Sequence, residues 1–309
     1  MRLLLVCLLL AGCAPKAVPP DSVPELPAWS VDRAALPAAT LRVLPVAVTH
    51  GPDNTVVQGG TNERLTLPVY VYVLEHPTEG VVLIDAGFPR RTSVDVADYP
   101  GKRMANVLGV EMDAGAAAAD RLPEIDRSAA DVAHIVLTHM HADHVGGIED
   151  FPTATVHVGP GEWDHAYEGG LLGKPDVTPF DGREGVVHEA FDGTAPYGPF
   201  EGHRDLFGDG SVVLMAAPGH TPGHLAVMVN LPGGSYLIAG DCAWVDRHLQ
   251  GPLAKSALVR GALEHDWRAN WANQWRLHAF AKANPDVVVF AGHEPDTGER
   301  VALWPAVLK

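Results

Sequence analysis

The sequence is poor in cysteine, in basic residues and in long apolar runs, and each shortage removes a class of protein. Three Cys among 309 residues cannot build the disulfide framework of a small secreted scaffold. Lys and Arg total 22 against 38 Asp and Glu, a formal net charge of −16, and no basic run offsets it. A general nucleic-acid-binding surface is therefore not expected. No apolar stretch reaches the roughly 20 residues that span a bilayer as a helix. Charged residues make up only 19%, but 47% are hydrophobic, so the chain can bury a sizeable core and is not disordered by composition. Set against these shortages are 16 His, the feature that asks for a chemical account.

The N-terminus reads as a leader. Met1-Arg2 supplies positive charge, and Leu3 to Leu10 is an apolar run of export-signal proportions. It ends in Leu10-Ala11-Gly12-Cys13, which resembles the lipobox of bacterial lipoprotein signal peptides. That resemblance implies removal of residues 1–12 and lipidation of Cys13. The protein would then sit in the bacterial cell envelope, held to the membrane by an N-terminal lipid anchor. Ala14 in place of Asp after the Cys points to the outer membrane, facing the periplasm. An ordinary signal peptide that contains Cys is the alternative. Residues 13–39 are Pro/Ala-rich and read as a tether; residues 40–309 read as the folded domain. Cys7 leaves with the leader, so Cys242 is the one remaining thiol.

Runs rich in β-branched and aromatic residues predict strands at 41–48, 67–75, 80–85, 133–137, 154–158, 211–216, 225–229, 236–238 and 287–290. Helices are expected at 113–122 and across 255–283. In the second, Trp267, Trp271 and Trp275 recur every four residues on one face. That stripe reads as core packing, with a wall of a substrate pocket as the alternative. The whole is a mixed α/β sandwich. The Gly-, Pro- and aromatic-rich segment 159–210 is expected to lie over the site as a substrate-contacting excursion.

The chemistry gathers where the 133–137 strand ends, in Thr138-His139-Met140-His141-Ala142-Asp143-His144. Three imidazoles and a carboxylate within six residues need partners if buried, and they suit zinc, iron, manganese or cobalt. His139 and His141, two apart, can aim to one side; Asp143 and His144 address a neighbouring point. Further candidate ligands close later strands, namely His220 in Pro-Gly-His-Thr-Pro-Gly-His, Asp241 after Gly240, and His293 after Gly292. His224 reads as a structural residue, and Cys242 as core. Asp85 is read either as an acceptor behind a ligand His or as a turn residue. The remaining His, among them His134 and His157, have no partner visible in sequence.

This pattern resembles the metallo-β-lactamase superfamily, over essentially the whole of residues 40–309. HMHADH matches the His-x-His-x-Asp-His core of that family, and His220, Asp241 and His293 match its remaining ligands in order. The resemblance implies an α/β (α+β) fold, the four-layered αβ/βα sandwich, as the catalytic domain. It implies two divalent metal ions, most simply Zn2+. One would take His139, His141 and His220; the other Asp143, His144 and His293; Asp241 would bridge. LPVYVYVLEHPTEGVVLIDAGFP, PGHTPGH and FAGHEPD look most like the N-acyl-homoserine lactonase group. One departure is Trp244, where lactonases of this type commonly carry a Tyr that assists the substrate carbonyl; an indole N–H donates but is not an acid.

The implied activity is a metal-dependent hydrolase opening a small-molecule lactone or ester by attack of a metal-bridging hydroxide, with Asp143 as general acid and Trp244 as a substrate contact. The alternatives are the same machinery applied to a thioester, phosphotriester or β-lactam, a mononuclear iron persulfide dioxygenase, and a metal-binding lipoprotein without turnover.

Overall fold

The computed structural model describes residues 17–21, 25–26, 29–168, 182–191 and 195–309. The leader, Cys13 and parts of the tether and of the 159–210 segment, Phe180 included, lie outside the described residues.

Two sheets form. The first runs β1 (Thr40–Pro52), β2 (Arg64–His76), β3 (Gly80–Ile84), β4 (Val132–Val136), β5 (Thr155–Val158) and β6 (Val186–His188), in that spatial order. Its first three strands are antiparallel hairpins, and β3 to β6 are parallel. The second takes β7 (His203–Asp205), β8 (Val212–Ala216), β9 (Leu225–Leu231), β10 (Gly234–Ile238) and β11 (Val287–Phe290) in the spatial order β11-β10-β9-β8-β7.

Alternation along the strands separates three cores. Val69, Val71 and Val73 turn outward under Ala105, Ala118, Leu122 and Val145, whereas Tyr70, Tyr72 and Leu74 turn inward. There they meet Val212, Leu214, Val227 and Val229 of the second sheet. The outer face of that sheet, through Val213, Met215 and Met228, packs on Leu277 and Phe280 of the helix Trp267–Ala283. Helices, sheet, sheet and helix make the expected four layers.

Strand direction positions the chemistry. β8 and β10 both run antiparallel to β9, and β11 runs parallel to β10. The C-terminal ends of β8, β10 and β11 therefore share one edge of the second sheet. The segments leaving them carry His220, Asp241 and His293, and the segment leaving β4 carries the His139–His144 cluster. Two close backbone approaches hold these segments. A Cβ on Gly147 would sit 2.1 Å from the Ala86 carbonyl oxygen, and one on Gly159 would sit 1.8 Å from that of Gly223, so only glycine fits at either place.

Four expectations need correction. The helix expected over 113–122 is confined to Ala118–Arg121, because Gly115 adopts φ 76 and Ala117 is extended. The 255–283 region is two helices, Ala257–Ala262 and Trp267–Ala283, the second started by Asp266, whose side chain accepts from the Arg268 and Ala269 amides. Its tryptophans are not core. All three are half-buried, and the buried face is Asn270, Asn273, Gln274, Leu277 and Phe280. The described parts of 159–210 supply the helix Glu162–Glu168, and β6 to one sheet and β7 to the other. The described tether residues also touch the domain: Trp29 packs edge-on against Phe280 at 5.6 Å. Among the described residues no helix is long and apolar enough to cross a membrane.

Candidate metal centre

The seven residues singled out for metal binding come together. His139, His141, His220 and Asp241 form one group whose donor atoms lie within 4.8 Å of one another, and Asp143, His144 and His293 form a second. Asp241 stands between them. Its Oδ2 is 3.3 Å from His220 Nε2 and 3.8 Å from His139 Nε2, and its Oδ1 is 3.0 Å from His293 Nε2 and 3.4 Å from His144 Nε2. Asp143 Oδ2 lies 3.6 Å from His293 Nε2. Five of the seven are buried, whereas His141 and Asp143 are half-buried and mark the open side.

The outer nitrogens decide which inner ones carry lone pairs. His144 Nδ1 donates to Asp85 Oδ2 at 2.8 Å, His293 Nδ1 to the Pro68 carbonyl at 2.9 Å, and His220 Nδ1 to Glu264 at 3.0 Å. Thr138 Oγ1 donates to Asp85 and accepts from His139 Nδ1 at 3.1 Å. Each of these four imidazoles thus has an outer partner for one proton and turns its Nε2 inward, free to offer a lone pair to a cation. His141 is the reverse, with Nδ1 turned in, 3.0 Å from His139 Nε2 and 2.9 Å from His220 Nε2. Without a cation a single proton on His141 Nδ1 can serve only one of these two nitrogens well, whereas a cation takes all three lone pairs. His144 Nε2 and Asp241 Oδ1 are buried without a hydrogen-bond partner, at an energetic cost that coordination removes. The donor set fits a pair of divalent cations.

Electrostatics agree. Burial, reinforced by neighbouring imidazoles, holds His139 and His141 well below the ordinary histidine range. Burial also pulls on His144, but Asp85, Asp143 and Asp241 outweigh it and raise the group well above that range. Burial pulls His293 down too, but Asp241, helped by Asp143, raises it above its ordinary value. Burial pushes the Asp241 carboxyl up, yet His293 and His144 prevail and hold it well below the usual carboxylate range. The carboxylates demand positive charge on this side of the site.

Supporting residues hold the ligands in place. Asp85, in the left-handed conformation at φ 58, accepts from the Thr138 amide at 2.7 Å as well as from His144, so of its two readings the acceptor one holds. Three charged residues escaped the sequence reading. Glu162, buried after β5, accepts from the amides of Met140 at 2.8 Å and Gly223 at 3.0 Å, tying the two His-bearing segments together. Its place after a strand end, in Gly-Pro-Gly-Glu, was the available signal. Lys255 and Glu264 carried none. Lys255 Nζ donates to Glu264 and to the Asp241 carbonyl, each at 2.5 Å.

Trp244 lies beside the ligands with its indole N–H donated to Asp241 Oδ2 at 2.6 Å, and the Lys255 ammonium sits 4.7 Å from its ring. His224 is buried, 5.3 Å from the His139 ring, and belongs to neither group. Cys242 is buried in the second sheet's outer core, where burial pushes its thiol up. His157, expected to be without a partner, is paired with Glu189 at 2.8 Å and with His134 at 3.1 Å.

The sequence profile of the metallo-beta-lactamase superfamily matches residues 64–293. The chain is 27% identical to the N-acyl homoserine lactonase AttM of Rhizobium radiobacter over 258 residues, 79% of this chain and 88% of the relative. It is 31% identical to a probable metallo-hydrolase, Rv2300c, of Mycobacterium tuberculosis, over 85% of this chain and 87% of that one. In three dimensions it is similar to an N-acyl homoserine lactone hydrolase solved with N-hexanoyl-L-homoserine at its metal centre. That match has a TM-score of 0.70 and 20% identity, and covers 87% of this chain and 98% of the other. By profile, fold and the convergence of the ligand set, the chain belongs to the metallo-β-lactamase superfamily of metallo-hydrolases.

Proposed function

We propose that the protein is a dinuclear metal-dependent hydrolase that opens a lactone or ester of the N-acyl-homoserine lactone kind. The observation that carries this reading is the divided carboxylate of Asp241, one oxygen toward His220 and His139 and the other toward His293 and His144. His139, His141 and His220 would hold one cation, Asp143, His144 and His293 the other, and Asp241 both. Zinc suits four- and five-coordinate sites of nitrogen and oxygen donors. When bound, such a pair supplies Lewis acidity and a water acidified to a pKa of about 7.

The chain's own residues do the rest. Asp85, Thr138, Glu264 and the Pro68 carbonyl fix the imidazole tautomers, so the ligands need no rearrangement. Asp143, on the open side, would take the proton given up by the attacking water and pass it to the alkoxide oxygen that leaves when the ring opens. Trp244 has its N–H committed to Asp241, so it meets the substrate through its ring and leaves the carbonyl oxygen to other groups. Likeness to lactonases under comparison supports the substrate class.

We also infer that residues 1–12 are an export signal, that Cys13 carries lipid, and that the domain is held in the bacterial envelope, at the outer membrane facing the periplasm. The Leu-Ala-Gly-Cys ending supports this reading.

One experiment tests the enzymatic claim. Metal per chain is measured, and lactones, thioesters, phosphotriesters and β-lactams are assayed in parallel with the wild type and His139→Ala. Two metals per chain and lactone turnover lost in the variant are expected. Turnover confined to phosphotriesters would end the lactone reading and leave the site standing.

A further inference from the structure

The tryptophans of the helix Trp267–Ala283 are half-buried on its outer side, where nothing in the hydrolytic site uses them. Trp267, Trp271 and Trp275 continue through His278, Ala279 and Lys282 as one stripe, since residues three and four apart share a helix face. The Trp271 and Trp275 rings are 5.8 Å apart, and Trp275 and His278 are 5.6 Å apart. Beyond them His278, Ala279, Lys282 and Ala283 line an apolar depression of about 360 Å3.

The charge of this helix runs against that of the chain. In a protein of net charge −16, its 17 residues include no Asp or Glu, and Arg268, Arg276 and Lys282 are basic. The acids beside it are Asp266, occupied as the cap, Glu201, 3.6 Å from Arg276, and Glu264, which lines a crevice with Trp267 and Trp271 but turns its carboxylate inward onto Lys255 and His220. The Arg268 and Arg260 guanidinium groups lie 4.6 and 4.7 Å from the Trp267 ring. Aromatic rings beside cations, with no carboxylate between them, match the boundary between lipid acyl chains and anionic headgroups.

The tether selects the same face. Trp271 Nε1 donates to the Val18 carbonyl at 2.9 Å, and Val18 itself is 73% exposed. The Ala17 amide bonds Gln58 Oε1 at 3.3 Å. Cys13 lies five positions before Val18 in sequence, and five residues span at most about 17 Å. A domain of this size has a radius of gyration of about 18 Å. A lipid on Cys13 therefore brings the bilayer to the side on which Val18 sits, and no other.

We propose that the Trp267–Trp271–Trp275 face of this helix is the surface on which the domain rests against the bilayer that anchors it, with Arg268 and Lys282 meeting anionic headgroups. The proposal rests on lipidation of Cys13.

The test uses the full, processed chain in vesicles of phosphatidylethanolamine and phosphatidylglycerol, three to one, doped with brominated acyl chains as a tryptophan quencher. Mass spectrometry of the N-terminal peptide first establishes whether Cys13 is lipidated. The expected result is quenched, blue-shifted emission and slowed amide exchange in 267–283. A triple Trp→Phe variant at 267, 271 and 275 should lose most of the quenching. Arg268→Glu/Lys282→Glu, which keeps all three tryptophans and lies outside the hydrolytic site, should lose most of it as well while turning over a soluble lactone at the wild-type rate. An unmodified Cys13 defeats the anchor and this surface together. A lipidated chain whose emission is unquenched, or is quenched as strongly in both variants as in the wild type, overturns the surface and leaves the anchor intact.

Discussion

The Lys255 ammonium is 1% exposed and lies 2.5 Å from the Glu264 carboxylate. That pair sits directly behind the metal ligands. Glu264 accepts from His220 Nδ1, and Lys255 caps the Asp241 carbonyl. Burial pushes the Glu264 carboxyl up, but Lys255 and His220 outweigh it and hold it below the usual range. Removing one partner of such a pair costs about 3–5 kcal/mol, because the other is left buried and uncompensated.

Lys255→Met should therefore lower the unfolding midpoint steeply. Glu264→Gln, which keeps an acceptor oxygen for His220, should be milder in stability. Its zinc affinity should still fall about 10–100-fold, as for other groups that orient a ligand imidazole. Chelator competition measures this; an unchanged zinc affinity in Glu264→Gln would show that the carboxylate does not act through His220.

Metal removal should destabilise the fold. A cation that binds only the native state adds about 2.7 kcal/mol at a hundred times its dissociation constant. Chelation should lower the thermal midpoint of the wild type and zinc should restore it. Asp241→Asn, which loses the charge shared by both groups, should respond far less. Equal responses would remove Asp241 from the centre of the site.

Trp244→Phe keeps the ring and deletes the N–H that Asp241 Oδ2 accepts at 2.6 Å. A hydrogen bond to a charged group contributes about 1.5–3 kcal/mol. The variant should lose roughly tenfold or more in kcat, or in metal retention, with KM less affected. A KM-only effect would make the indole solely a substrate contact.

His248 supplies a pH prediction. It is fully buried, and burial, helped by Lys255, lowers its pKa to about 3. Between pH 3 and the ordinary value near 6.5 the unfolded chain holds this proton and the folded chain does not, so stability rises with pH across that window. The imidazole costs nothing above pH 6.5 and about 2 kcal/mol by pH 5, at 1.36 kcal/mol per unit. Denaturant midpoints from pH 7 to 5 should fall in the wild type and fall less in His248→Asn.

Gly147→Ala would put a methyl 2.1 Å from the Ala86 carbonyl oxygen. The His144 segment would have to move away from Asp85, at a cost of about 1–3 kcal/mol for overpacking. A lower thermal midpoint together with weaker zinc binding is expected, and wild-type values for both would contradict the close approach.

The ligand set was legible in sequence because strand ends and His spacing announce it. HMHADH, His220, Asp241 and His293 each follow an apolar run that can only be a buried strand. The Lys255–Glu264 pair was not legible, since two charges nine positions apart read as solvated until the fold encloses them. The tryptophan stripe misled for a definite reason. Helical spacing shows that Trp267, Trp271 and Trp275 share a face, but not which face is inside. The inner face is polar in its first half, with Asn270 and Gln274 donating to the Cys242 carbonyl and Asn273 to the Pro218 carbonyl, and apolar only from Leu277 to Phe280. By composition those amides belong outside.

That inverted helix has a mechanical meaning. Its amides grip the backbone beside Asp241 and His220, and the Asp266 amide adds a bond to the Gly219 carbonyl at 2.8 Å. The helix thus works as a splint: Leu277 and Phe280 seat its second half on the sheet, and the amides of its first half hold the backbone that aims two of the ligands.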